Sequence, residues 1–368
     1  MQKKQVAVLD VGSSEIRAYV AERGVNKTFV IKGQKFFSYE GFSDHEFFDQ
    51  EELKRILLSA GEFLKSVSKL TQVVYVGVPG EFTEVAVRVS QVAFPKRKNI
   101  TANEVDSLYN SAFLTKSAKK TLINRSAIVY ELDDGRRLAN PVGFASEILK
   151  GKLSFITCEN YFIDIFKNTL LASGFTKVEF ISNALAQSMY LIDSETRDKV
   201  AILADIGYIS TTVSVIHGDG IIHQKSFSFG GGYVTASLSE RFELSFDDAE
   251  SLKRKTSITR VFNSSNDELV EGGNGKYYSA DDVKKSICFS LDGLCEEISE
   301  VISNLGFNLP EYVSLKITGG GISLLRGAKE YVASRLGMAV EVLTPKVPLM
   351  DSPLKSSALS IMDLALEQ

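Results

Sequence analysis

The 368-residue chain has no tryptophan, three histidines, three cysteines and seven prolines. His45, His217 and His223 are scattered, which leaves little for imidazole-based hydrolysis or metal chemistry. Cys158, Cys288 and Cys295 share no metal or redox spacing, so they read as reduced structural thiols of a cytoplasmic protein. No apolar run reaches the ~18 residues of a membrane span. Asp10 and the Gly-Ser turn after it interrupt the first apolar stretch, so nothing reads as a signal peptide. Charge of one sign is also scarce: 42 basic against 46 acidic residues give a formal net charge of −4, which argues against a nucleic-acid partner. The short clusters Lys96-Arg97-Lys98 and Lys119-Lys120 read as solvated faces. At 44% hydrophobic residues and this length, the chain is folded and long enough for two cored domains.

What is present is a repeated arrangement. Residues 6–20, VAVLDVGSSEIRAYV, read as an apolar strand, a tight turn with Asp10, Gly12, Ser13 and Ser14, and a returning strand. Such a turn offers backbone N–H groups and hydroxyls to phosphate oxygens, with Asp10 as a direct or water-mediated magnesium ligand. Asp-x-Gly-Ser also makes ordinary hairpins, and both readings stand on this segment alone. Residues 201–215, AILADIGYISTTVSV, repeat the pattern with Asp205, Gly207, Ser210 and Thr211. A third stretch, KITGGGISLL over 316–325, reads as a strand end, a turn of Gly319, Gly320 and Gly321, and the start of a helix. Order and spacing together favour a nucleotide cleft between two related halves.

Periodicity supplies the elements around these turns. The first half holds strands over 6–9, 15–20 and 26–37, a helix over 50–69 opened by Asp49 and Glu52, and a strand over 73–78. Residues 81–157 behave as an α+β insertion: strands over 84–94, 127–132 and 149–158, with a helix from Thr101 and Glu104 to about 118. Helices over 160–173 and 184–192 flank a strand over 177–181, with Gly174 stopping the first helix. Beyond Asp205, helices are expected over 233–242, 247–254, 280–305, 328–336 and 353–366, and an exposed loop over 263–275.

The three glycine turns resemble those of the actin, Hsp70 and sugar-kinase superfamily, and the intervening sequence resembles the bacterial cell-division family FtsA. The narrower resemblance rests on residues 140–192 with their NPVG turn and ITC strand end, on SFSFGGGYVTASLSERFELSFDDAESLKRK over 226–255, and on PLKSSALSIM over 353–362. PilM, an actin-like pilus protein, is the nearest competitor. The resemblance implies an α/β, actin-like (ribonuclease H-like) two-domain fold with a small α+β subdomain inserted in the first half. Its first half would be 1–80, completed by 158–192 and 353–368. The inserted subdomain would be 81–157, and the second half 193–352 with a small subdomain at about 226–300. It further implies ATP or another adenine nucleotide with Mg. Asp10, Gly12, Ser13, Ser14, Asp205, Gly207, Ser210 and Thr211 would face the phosphates, and Gly230, Gly231, Glu250, Lys253, Gly319, Gly320 and Gly321 the nucleoside. Asp10 and Asp205 would hold Mg indirectly.

The departures bear on activity. The family's second loop usually reads DIGGGTTD, whereas Tyr208 and Ile209 stand at two glycine positions here and Thr212 at the final aspartate. Tyr and Ile resist both close phosphate approach and positive φ. Glu15 stands where Lys is frequent, with Arg17 available to compensate. No group stands out as positioned to orient an attacking water. The expectation is weak or structural nucleotide binding with little or no ATPase activity. By resemblance the partners are FtsZ, met through Lys284 and Lys285, and further copies of the chain, met through the inserted subdomain. A solvated helix face explains the two lysines better than a partner contact does. SALSIMDLALEQ at the end lacks aromatics and a linker, so no direct membrane anchor is expected in this sequence. The location expected is the cytoplasm, with recruitment to the inner membrane face at midcell. The alternatives are a PilM-like assembly protein of a pilus or secretion system and an active actin-superfamily ATPase.

Overall fold

The computed structural model describes residues 4–25, 28–69, 71–113, 118–259 and 268–367. The apolar opening folds as a meander of β1 (Gln5–Val11), β2 (Glu15–Arg23) and β3 (Phe29–Ser38). A short hairpin of β4 (Phe42–Ser43) and β5 (Glu46–Phe47) follows, then α1 (Gln50–Val67) and β6 (Val73–Val78). Asp49 caps α1 by accepting the Glu52 N–H at 2.9 Å, and Leu53, Leu57, Ala60 and Leu64 form its buried stripe. The reciprocal bond of a capping box is absent, because the Glu52 carboxylate accepts the Glu40 N–H instead.

The chain then leaves this sheet through β7 (Thr83–Asn99), α2 (Ala102–Ala112), β8 (Lys120–Leu132), β9 (Arg137–Leu138) and β10 (Ala145–Glu159). These strands pair as a separate sheet in the order β7-β10-β8-β9, with its own core around Leu108, Tyr130, Leu153 and Phe155. Its strands outrun the sequence expectation because polar residues alternate with apolar ones along their ends, as one wetted face permits. Here Thr101 and Glu104 do close a full capping box. The helix ends at Ala112, short of 118, and residues 114–117 lie outside the described residues. So do residues 26–27 of the strand expected over 26–37 and residues 263–267 of the expected loop.

α3 (Asn160–Ala172), β11 (Lys177–Ser182), α4 (Asn183–Leu191) and the short α5 (Ser194–Asp198) lead to the second sheet. That half comprises β12 (Ala201–Ile206), β13 (Thr211–His217), β14 (Gly220–Phe227), α6 (Gly231–Phe242), α7 (Phe246–Lys255), β15 (Leu269–Glu271), β16 (Tyr277–Ser279), α8 (Ala280–Ser303), β17 (Leu315–Thr318), α9 (Ala328–Leu336), β18 (Val340–Val342) and α10 (Ser356–Glu367). β15, which falls within the loop expected over 263–275, pairs with β16 just beyond it as a small hairpin.

The two large sheets have one topology. Their orders are β3-β2-β1-β6-β11 and β14-β13-β12-β17-β18, each an antiparallel meander extended by two parallel strands. The hairpin tips after β1 and β12 are therefore equivalent positions of two related halves. The halves also interlock. α10, from the end of the second half, packs on α4 and on the first sheet, where Ile361, Met362 and Ala365 join Val6, Val8 and Tyr19 in one core.

One expectation fails beside the cleft. No helix starts after the triple-glycine turn: the chain makes further turns, and α9 begins at Ala328. Gly327 at φ +89° cannot belong to a right-handed helix, and Arg326 O accepts the Ile258 N–H rather than an intrahelical donor.

Candidate functional site

The two hairpin tips, the glycine turn, α7 and the segment before α10 surround a cleft of about 480 Å³. Its lining includes Asp10, Gly12, Ser13, Ser14, Asp205, Gly207, Glu250, Lys253, Gly319 and Gly320 of the expected set. Ser210, Thr211, Gly230, Gly231 and Gly321 stand behind it. The Thr211 hydroxyl donates to Phe229 O at 2.5 Å, and Gly230, Gly231 and Gly321 pack backbone against backbone around the second hairpin. Lys284 and Lys285 lie apart from the cleft on α8, paired with Glu268 at 3.6 Å and Asp281 at 2.6 Å.

The hairpins share a local design. Gly12 N–H donates to Glu15 O at 3.0 Å, and Gly207 N–H donates to Ser210 O at 2.9 Å. A Cβ on either glycine would fall 3.0 or 2.9 Å from the very carbonyl that closes its turn, so each turn needs glycine there. The tips touch: Ile209 N–H donates to Ser13 Oγ at 3.0 Å. Neither Tyr208 nor Ile209 takes positive φ, so the second loop turns without the conformations its lost glycines would allow. The Tyr208 ring enters the cleft lining instead, edge-on to Phe246 and 6.0 Å from Lys253 Nζ.

Charges in the cleft are paired. Asp10 is buried, and its β-ladder partner is Arg17. Arg17 Nη1 reaches Asp10 Oδ2 at 3.3 Å and Leu354 O at 3.0 Å, while Nε donates to Glu15 Oε2 at 2.8 Å. Ser357 Oγ donates to the other Asp10 oxygen at 2.6 Å. Asp205 Oδ2 accepts from Gln187 Nε2 at 2.8 Å. Burial pushes the Asp205 carboxyl up, Asp10 adds to this, and Gln187 and Arg17 oppose it. On α7, Glu250 and Lys253 pair at 2.7 Å, and Arg254 binds the other Glu250 oxygen at 2.7 Å. Lys253 is also spent on Gly231 O at 2.9 Å and Thr235 Oγ1 at 2.8 Å.

Sequence reasoning missed two participants in the site and one buried carboxylate outside the cleft lining. Gln187 carries no motif, yet its Oε1 and Asn183 Oδ1 are buried without a partner beside a hole of about 10 Å³ that Asp205 and Thr212 also line. That is the size and polarity that suit one water molecule. Ser357 comes from α10, too far along the chain for spacing to reveal. Glu81 is buried in the turn after β6, with Oε1 accepting the His45 N–H at 2.9 Å and Oε2 unpartnered. Burial pushes its carboxyl up, against the lowering effect of His45.

The fit of a magnesium ion is poor in this arrangement. Asp10 already faces a guanidinium and a hydroxyl, and burial favours the protonated form of Asp205. A phosphate-bearing ligand fits better, since the hairpin tips and Arg17 present donors to the cleft.

Comparison with known proteins agrees with this architecture. The profile of the family "Cell division protein FtsA" matches residues 202–360. Cell division protein FtsA of Escherichia coli K12 is 23% identical over 259 residues, covering 68% of this chain and 60% of that protein. FtsA of Streptococcus pneumoniae D39 is 22% identical over 373 residues, 97% of this chain and 79% of that one. The alignment thus spans under two thirds of the E. coli protein's length. Among solved structures, the PilM-PilN type IV pilus biogenesis complex superposes with a TM-score of 0.66 at 15% identity, covering both chains fully. MreB5 of Spiroplasma citri bound to ADP gives 0.57 at 13% identity, over 99% of each chain. These likenesses are of fold, and the fold is actin-like.

Proposed function

We propose that this chain, a divergent FtsA-like protein with an actin-like fold, is a cell-division adaptor that binds an adenine nucleotide weakly and turns it over little or not at all. The observation that carries the reading is the pair of equivalent hairpin tips facing a glycine turn across one polar cleft. Solved neighbours of the same fold, MreB5 among them, hold ADP or AMPPNP. Weakness follows from Tyr208 in the lining and from the Ser13–Ile209 bond that joins the tips. Low turnover follows from the pairing of Asp10 with Arg17 and Ser357, which takes both oxygens of that carboxylate. By kinship with FtsA, the proposed partner is FtsZ, with self-association through the sheet β7-β10-β8-β9 and recruitment to the inner membrane face at midcell. No helix among the described residues is long and apolar enough to cross a membrane.

Two measurements test this. Calorimetric titration with ADP and ATP should give dissociation constants above the micromolar range and no steady phosphate release. Micromolar or tighter binding with sustained turnover would make the chain an ATPase instead. Co-sedimentation with FtsZ polymers from the same organism should pellet the chain. The full-length superposition on PilM favours a second reading, in which the chain captures a short tail of a pilus or secretion-membrane protein. Failure to pellet at tens of micromolar, with binding to such a tail, would select it.

A further inference from the structure

The geometry points to a nucleotide site that works without a divalent cation, in which Arg17 supplies the positive charge to the phosphates. This rests on the nucleotide reading above and departs from the magnesium expected at Asp10.

The β1–β2 register puts Arg17 directly across from Asp10, so the guanidinium is a fixed part of the hairpin rather than a passing surface contact. Its Nη1 spans Asp10 Oδ2 and Leu354 O, its Nε holds Glu15, and the side chain is 23% exposed. Three of the five guanidinium N–H groups are thereby used. The two on Nη2 meet no acceptor among the described residues, and Arg17 lines the cleft beside Ser13 and Ser14. A planar guanidinium with one edge anchored and two donors open is suited to a phosphate oxygen.

The same anchoring works against a metal. A hydrated dication at Asp10 would sit within a few ångströms of a guanidinium already 3.3 Å from the carboxylate, and the other carboxylate oxygen is taken by Ser357. Like charges that close are costly in a recess of low dielectric. Lys253 does not offer an alternative counter-charge, because its ammonium is buried against Glu250, Gly231 O and Thr235. The ligand chemistry is therefore a free nucleotide anion, with ADP favoured over the more highly charged ATP because the Glu15 carboxylate also faces the cleft.

Titrations of the full chain with ADP and ATP, in excess magnesium and in EDTA, test the proposal. The wild type should bind ADP in EDTA within about threefold of its affinity in magnesium. Arg17→Ala should lose roughly 10-fold or more in EDTA, the scale of one charge-assisted hydrogen bond. Asp10→Asn frees Arg17 and removes a negative charge, so it should tighten ADP binding severalfold, whereas a metal-dependent site would lose it. Wild-type binding that vanishes in EDTA, or an Asp10→Asn variant that no longer binds, overturns metal independence while leaving nucleotide binding standing. Absence of binding in both buffers overturns both. A melting curve for each variant separates lost binding from lost folding.

Discussion

Glu81 shows at the scale of one residue how a buried carboxylate imposes a stability cost. It is buried beside Asp44 and His45 with one oxygen unpartnered, and burial raises its carboxyl above the ordinary 4.5. A carboxyl raised in the folded state holds its proton more tightly there than when unfolded. Its charged form therefore opposes folding at neutral pH, and that penalty is relieved as pH falls through the folded value toward 4.5. Glu81→Gln keeps an acceptor for the His45 N–H and removes the charge. Melting at pH 7.5 should rise by roughly 2 °C, the effect of a fraction of a kcal/mol to 1 kcal/mol in a large domain. The gain should fade as pH is lowered toward that ordinary value. A gain independent of pH would place its cause elsewhere.

At the scale of elements, sequence made the hairpins and amphipathic helices legible because their patterns are local. Val73–Val78 was readable as a buried strand from its apolar run alone, and Asp49 and Thr101 from their capping positions. What was not legible depends on remote partners. Gln187 and Ser357 enter the cleft from helices with no distinguishing spacing, and the polar ends of β8 and β10 pair only because the neighbouring strand is there. The helix expected after Gly321 fails for a reason six residues further on, at Gly327. The glycine contacts behind the cleft belong to this scale too. Gly231 N–H donates to Gly207 O at 2.9 Å, and a Cβ at Gly231 would lie 2.5 Å from Gly321 O. Neither backbone can yield cheaply. Gly231→Ala should separate the second hairpin from the glycine turn, costing about 2 kcal/mol or more in denaturant unfolding. It should also weaken nucleotide binding beyond the loss explained by unfolded protein.

At the scale of the whole molecule, α10 joins the halves by crossing from the second to pack on the first. Ile361 of α10 is fully buried in the first half's core, and its Cδ1 occupies the space a Cβ on Gly77 would need. Ile361→Ala should cost about 2–5 kcal/mol, as large-to-small core changes do. Fluorescent probes placed in the first and second sheets should report the same shift in midpoint. A shift confined to one sheet would show that the halves unfold independently.

That crossing has a consequence for biosynthesis. A ribosome making this chain releases β1, β2 and β6 long before residues 356–367 exist. Until translation reaches α10, one face of the first sheet, with Val6, Val8 and Tyr19, has lost a principal cover and stays sticky. The nascent first half therefore exposes aggregation-prone apolar surface until α10 emerges and folds back onto it.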